Sequence, residues 1–322
     1  MTLSIGKAKT FGEKNPNKKF YVIWRKSGTA GFFSNLFFVC AHLEIAEKFG
    51  LIPVVDMKNH PVFYNETTIV NGTENSWEYY FEQASEYSLN EVYESKTVYL
   101  CDGEMKMEIY NHFRDFEYAH KMIERYIKVK SDVLAWVDDF SNQFFKGNVL
   151  GIQFRGQEMK YAPYHVTPPT VAQMIDRTKQ MIKEHNIEKI FLVTEDKGYL
   201  TIFQKEFKDI LIYTDAFRTY EGVNAYTIEP KPRDLHMYKL GLEILRDMLL
   251  LSKTNYLLAS GKDELAYGSN VSYVAQIFNM TNSRYKRVEL IFNGTNPEMI
   301  IVKEPLQSMI AFARKIKGLL QK

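Results

Sequence analysis

The chain has 322 residues, 45% hydrophobic and 25% charged, enough apolar material for a sizeable core and for about two domains of ordinary size. A formal charge of +2 supplies no global field for nucleic acid, and two cysteines without ligand spacing, Cys40 and Cys101, exclude a zinc cluster and a disulfide framework and fit a reducing compartment. No apolar run approaches the roughly 20 residues of a membrane helix, and Met1 to Asn15 lacks the apolar stretch of a secretory leader. The expected location is therefore cytoplasmic, with at most peripheral membrane contact through the lysines between Lys315 and Lys322.

In chain order, the β-branched and aromatic run Phe20–Trp24 predicts a strand, and a loop with Gly28 and Gly31 follows. Helical spacing covers Asn35 to Phe49, with Gly50 where a helix-ending glycine belongs, and Leu51–Val55 reads as a second strand ending at Asp56. This strand–helix–strand unit is the building block of a parallel sheet. Helices are expected over Tyr110–Lys128 and Ser131–Phe145, the second capped by Ser131.

A second alternating series starts near Asn148. Strands are expected at Val149–Phe154, Ile190–Val193, Ile210–Tyr213 and Tyr256–Leu258. Helices are expected at Thr170–His185, Lys197–Phe207, Leu240–Ser252 and Asn270–Phe278, with a terminal amphipathic helix from Pro305 to Leu320. Two α/β halves follow, 1–145 and 146–304, with 305–322 as a closing helix. Ligands of such sheets bind off the carboxyl ends of strands.

Several groups of residues could carry chemistry. Arg155 follows the strand at Gly151–Phe154, where a permanently charged planar fork suits phosphate, although a surface ion pair would use it equally well. Ser269, Asn270 and Val271 open a helix, whose free amides form an anion site; a plain serine cap is the ordinary alternative. Asp247, inside an apolar helix, needs a partner if buried. Thr194 and Glu195 stand at another strand end. In the first half, Gly31 allows close approach and Asn35 can hydrogen-bond a phosphate or sugar. Trp77, Glu78 and Tyr79 could grip an acceptor sugar or could belong to the core. The 21 tyrosines and 22 phenylalanines fit either use. Glu158 is the nearest carboxylate to Arg155 in the same loop and the first candidate for a base, with His165 or Glu78 as alternatives. There is no metal-ligand cluster, no dinucleotide fingerprint, no phosphate loop of the G-x-x-x-x-G-K type and no G-x-S-x-G elbow.

Taken together, Gly151-Ile152-Gln153-Phe154-Arg155-Gly156 and Asp247…Ser252…Asn255-Tyr256-Leu257-Leu258…Ser269-Asn270-Val271-Ser272 resemble the nucleotide-sugar domain of the α1,6- and protein O-fucosyltransferase superfamily, which includes the rhizobial nodulation enzymes. The resemblance also takes in Gly31–Asp56 and Ile190–Asp196, about two thirds of the chain. It implies a GT-B fold, two Rossmann-like α/β domains facing across a cleft. It further implies an inverting, metal-independent glycosyltransferase, a fucosyltransferase using GDP-fucose on a glycan acceptor in bacterial surface polysaccharide synthesis. Under it Arg155 holds the donor phosphate, Asp247 and Ser269 lie on the nucleotide, and no cofactor is needed beyond the nucleotide sugar. The acceptor, lipid-linked or free, and the linkage stay open. Gln153 stands where the family has histidine, Gly156 where the α1,6 enzymes have a second arginine, and the proposed catalytic glutamate of those enzymes falls near Pro163. A nucleotide-sugar-binding protein without transfer, or an epimerase or hydrolase of similar fold, are the competing classes.

Overall fold

The structure is a computed structural model, and it describes residues 5–155, 168–220, 222–261, 269–282, 284–291 and 300–303. It divides into two compact units: Met1–Ala135 with Glu229–Leu242, and Trp136–Ile228 with Glu243–Lys322.

The first unit is built on a three-stranded parallel sheet in the order β2-β1-β3, with β1 Phe20–Ile23, β2 Ile52–Val55 and β3 Val98–Leu100. Between the first two strands runs α1, Phe32–Lys48, which begins three residues before the expected start. Phenylalanines 32 and 33 are both buried, so packing extends the helix back to Gly31. Gly50 adopts φ +62° just past the helix end, and the Leu51 amide reaches back to the Ala46 carbonyl at 2.8 Å, closing the last turn.

The long helix expected over Tyr110–Lys128 is broken. A single turn, α3 (Met107–Tyr110), passes through a 3-10 turn to α4, Phe116–Tyr126. The cause is Asp115, whose carboxylate accepts hydrogen bonds from the amides of Glu117 and Tyr118 and so starts a new helix there. The one-turn helix α2, Leu89–Val92, completes this unit. The helix α5, Ser131–Phe144, crosses from one unit's residues into the other's, and Ser131 is its first helical residue rather than its cap.

His42 lies in the core of the first unit with no solvent exposure. Its Nδ1 is 2.9 Å from the Tyr21 hydroxyl and its Nε2 is 3.1 Å from the Glu104 carbonyl. A neutral imidazole satisfies both, donating from Nε2 and accepting at Nδ1. Burial pushes its pKa down from the ordinary 6.5 to about 4. The unfolded chain takes the proton near pH 6.5 while the folded chain resists it until about pH 4, so stability falls as pH drops through that window. The loss is on the order of 3 kcal/mol. His42→Gln, which keeps a donor and an acceptor but cannot titrate, is expected to lose less stability than wild type between pH 7 and pH 4.5 in urea unfolding. Parallel pH profiles would contradict this assignment.

The second unit carries a six-stranded sheet in the order β6-β5-β4-β7-β8-β9. Its strands are β4 Val149–Gln153, β5 Lys189–Val193, β6 Leu211–Ile212, β7 Tyr256–Ser260, β8 Arg287–Ile291 and β9 Ile300–Lys303. All pairs are parallel except β8–β9. The connecting helices are α6 Val171–His185, α7 Lys197–Phe207, α8 His236–Leu251 and α9 Asn270–Asn282. Thr170 caps α6 in a reciprocal box with Gln173. One face of the sheet, with Ile152, Leu192 and Leu258, packs on Met174, Met181 and Phe203 of α6 and α7. Gly151 is needed where β4 meets the turn after α8, since a Cβ there would sit 2.7 Å from the Thr254 hydroxyl. The expected terminal helix over 305–322 lies outside the described residues.

Candidate functional site

The order of the second sheet fixes where a ligand can bind. From β4 the chain steps outward to β5 and β6, then returns through α8 to place β7 on the other side of β4. The crossovers therefore diverge between β4 and β7, and in sheets of this kind ligands bind beyond the carboxyl ends of the strands at such a point. Strand β4 leads directly to Arg155 there, and β7 leads to Ser269 and the start of α9.

The Arg155 side chain is 37% exposed, and its Nε lies 3.9 Å from the Glu195 carboxylate at the end of the adjacent β5. This loose pair leaves most of the guanidinium fork available. Ser269 is buried, and its hydroxyl accepts from the Val271 amide at 3.3 Å. That is the ordinary serine cap at the amino end of α9, with Asn270 as the first helical residue. Two further polar atoms are shielded from solvent without a hydrogen-bond partner among the described residues: Gln153 Oε1 at the end of β4 and Ser260 Oγ at the end of β7. Each stands at the carboxyl end of one of these two neighbouring strands, and buried polar groups need a partner.

Farther along the strand ends, Asp247 of α8 is 5% exposed and accepts from the Thr214 hydroxyl at 2.8 Å. Burial pushes its carboxyl up from 3.8 to about 7, against the opposing hydrogen bond from Thr214 and the nearby charge of Arg218. Thr194 is buried, and its hydroxyl accepts from the Asp196 amide at 3.2 Å. Asp196 in turn caps α7 by accepting from the Tyr199 amide at 2.9 Å. Arg218, which no sequence pattern marked, ties this region together. It donates to the carbonyls of Thr194 at 3.0 Å, Thr214 at 2.9 Å and Ala216 at 2.8 Å. Its Nη2 is buried without a partner among the described residues. A lone arginine in a loop of glycine and proline carries no periodic signal, so only the fold reveals it. Glu158 and His165 lie outside the described residues.

In the first unit, Gly31 is exposed at the amino end of α1, and a Cβ there would meet nothing within 4 Å. Asn35 is spent on its own loop: its Oδ1 accepts from Arg25 Nη1 at 2.9 Å and its Nδ2 donates to the Ala30 carbonyl at 3.3 Å. Arg25 was also not anticipated. It lies after β1, stacks 5.2 Å from the Phe38 ring and is held by Ser34 and Asn35. Trp77 and Tyr79 are core residues, 2% and 1% exposed, so neither ring offers a face to a sugar. Glu78 is half-buried and accepts from Thr73 at 2.7 Å and Gln83 at 2.9 Å.

Among the described residues, one group could by ligand type hold a metal, Glu184, His185 and Glu289. The Arg177 guanidinium bridges both carboxylates at 2.6–2.9 Å, so a cation already occupies that position.

No family model and no curated protein matches the sequence. Among solved structures the chain is similar to NodZ α-1,6-fucosyltransferase soaked with GDP-fucose, with a TM-score of 0.54 and 16% identity over 89% of this chain and 99% of that one. It is likewise similar to fucosyltransferase NodZ from Bradyrhizobium, with a TM-score of 0.52, 16% identity and the same coverage. The fold is GT-B. The second unit has the six-stranded sheet in which β4 leads to Arg155 and the neighbouring β7 precedes α9. No helix among the described residues is long and apolar enough to cross a membrane.

Proposed function

We propose that the chain is a glycosyltransferase that takes a sugar from a guanosine-diphosphate donor, GDP-fucose or a close relative, to a glycan acceptor, by inversion and without a metal. What supports this reading is that β4, whose carboxyl end leads to Arg155, and β7, which precedes the Ser269-capped start of α9, are neighbouring parallel strands at the switch point of the sheet. A leaving diphosphate gains negative charge as the sugar departs, and fixed cationic and amide donors on two sides stabilise it.

The nucleoside end follows from strand spacing. Neighbouring strands lie about 4.8 Å apart, so the ends of β7 and β6 are separated by about 14 Å. A nucleoside diphosphate laid along the strand ends reaches from the α9 terminus to Asp247. Guanine presents N–H donors on its pairing edge, and an ionised carboxylate accepts them. The NodZ structures soaked with GDP-fucose or co-crystallised with GDP support this choice through the shared fold. Synthesis of a bacterial surface polysaccharide in the cytoplasm is the setting that fits such chemistry.

Thermal shift with GDP, UDP, dTDP and CMP tests the reading, since a ligand bound only by the native state raises the melting temperature. GDP is expected to stabilise and the others to do so weakly or not at all. Its affinity is expected to rise as pH passes about 7, where Asp247 ionises in the folded chain. Asp247→Asn separates recognition from packing. The wild-type carboxyl stays protonated up to about pH 7 but ionises near pH 4 when unfolded, so it costs stability as pH rises through that range. The amide removes this cost and is expected to raise stability at pH 8 while weakening GDP. A variant that binds GDP as tightly as wild type, with no pH dependence, would remove Asp247 from the donor site.

A further inference from the structure

A separate cavity of about 590 Å³ lies wholly within the first unit. It is walled by the segment from Glu82 to Ser88 and by the chain leaving α4, from Arg125 to Lys130. The two walls are joined at one end by an antiparallel pairing, with the Glu82 amide on the Lys128 carbonyl at 2.8 Å and the Lys130 amide on the Tyr80 carbonyl at 3.0 Å. Gln83 locks the first wall to the edge strand β2: its side-chain amide both donates to and accepts from the Val55 backbone, at 2.9 Å each. The same residue orients Glu78, a member of the expected acceptor set that lines this cavity.

Its chemistry narrows the occupant. Three acids, Glu78, Glu82 and Glu86, face three bases, Arg125, Lys128 and Lys130. Lys130 pairs with Glu82 at 3.0 Å and Arg125 with Glu47, so no surplus of positive charge remains for a phosphate or polyanion. Tyr87 and Tyr126, both half-buried, are the aromatic side chains of a lining made otherwise mostly of acids, bases, amides and hydroxyls, which does not suit a greasy ligand. Tyrosine faces and oriented carboxylates match a neutral, hydroxyl-rich molecule with C–H faces.

We infer that this cavity binds an uncharged oligosaccharide, the acceptor glycan held away from its reacting end; the acceptor identity rests on the transferase reading, whereas the binding itself does not. Pockets for drug-sized ligands run to about 300–1,000 Å³, so on the order of two or three sugar rings fit. A transferase that grips its acceptor here selects it by glycan sequence beyond the sugar that is modified.

The test uses the full chain and four neutral tetrasaccharides, of chitin, cellulose, mannan and galactan type, with saturation-transfer NMR and titration, and GDP thermal shift in parallel. At least one tetrasaccharide is expected to bind. Ser85→Trp, which adds bulk at the cavity wall, and the double variant Glu86→Ala/Lys128→Ala, which changes only exposed side chains, are each expected to weaken it by about tenfold or more. The double variant keeps the result readable if the tryptophan prevents folding. Absence of binding by all four at millimolar concentration, or binding unchanged in both variants, overturns the inference. Tetrasaccharide binding that both variants weaken, without any stabilisation by GDP, upholds this site and removes the transferase reading instead.

Discussion

Arg155→Ala is expected to lower transfer from GDP-fucose by about 10²–10³-fold with little change in thermal stability. The magnitude is that of removing one preorganised donor from a developing oxyanion, about 3–4 kcal/mol. The guanidinium is more than one third exposed and its contact with Glu195 is loose, so folding owes it almost nothing. Strand β4 is buried along its length and fixes the residue's starting point. Arg155→Lys keeps a charge but not the two-pronged geometry, and is expected to recover only part of the loss. Titration with GDP gives a second readout, because the same cation meets the product diphosphate. A variant within a few-fold of wild type in both turnover and GDP affinity would end the assignment.

The second large effect concerns folding. Glu289 of β8 has no solvent exposure. Burial by itself would raise its pKa, but hydrogen bonds from Arg177 and Arg287 outweigh that and hold the carboxyl below its usual range. Arg177 of α6 makes a two-pronged contact with Glu289, at 2.6 and 2.8 Å, and another with Glu184, at 2.8 and 2.9 Å. Arg177→Met leaves Glu289 buried against Arg287 alone. Breaking a buried pair in this way costs about 3–5 kcal/mol, and the remaining arginine places the expected loss near the lower figure. Arg177→Met/Glu289→Leu removes both charges and is expected to be less destabilising than the single change. Urea unfolding followed by a probe in the second unit measures both. A double variant as unstable as the single one would mean that the charges are not the source of the cost.

The second unit was largely readable as sequence because its elements obey local rules. Apolar runs of five residues alternate with capped helices, and Lys197–Phe207 was located to the residue because Asp196 is a cap that accepts from the helix amides. Less regular parts were hidden for physical reasons. Strand β3 is three residues long and shows no alternation, while β8 mixes Arg287 and Glu289 into its run because a buried ion pair replaces apolar side chains. In the candidate site, Arg155, Asp247 and Ser269 could be singled out because each interrupts a regular element or ends one. Arg218 and Arg25 could not, since each acts through backbone carbonyls or side chains that only the fold brings near. Trp77 and Tyr79 misled because an aromatic cluster reads alike whether it faces a sugar or the interior.

The stretch Glu229–Leu242 belongs to the first unit although its neighbours in sequence on both sides belong to the second. There the Tyr238 carbonyl accepts from the Tyr80 hydroxyl at 3.0 Å, its amide donates to Glu66 at 2.8 Å, and Gly241 passes so close to Tyr80 that a Cβ would overlap its hydroxyl. The polypeptide is thus interleaved, and no single cleavage point yields two complete pieces. Gene fusions, split-protein designs or circular permutations that sever the molecule near its midpoint would strip the amino-terminal fragment of an internal part supplied from almost a hundred residues downstream.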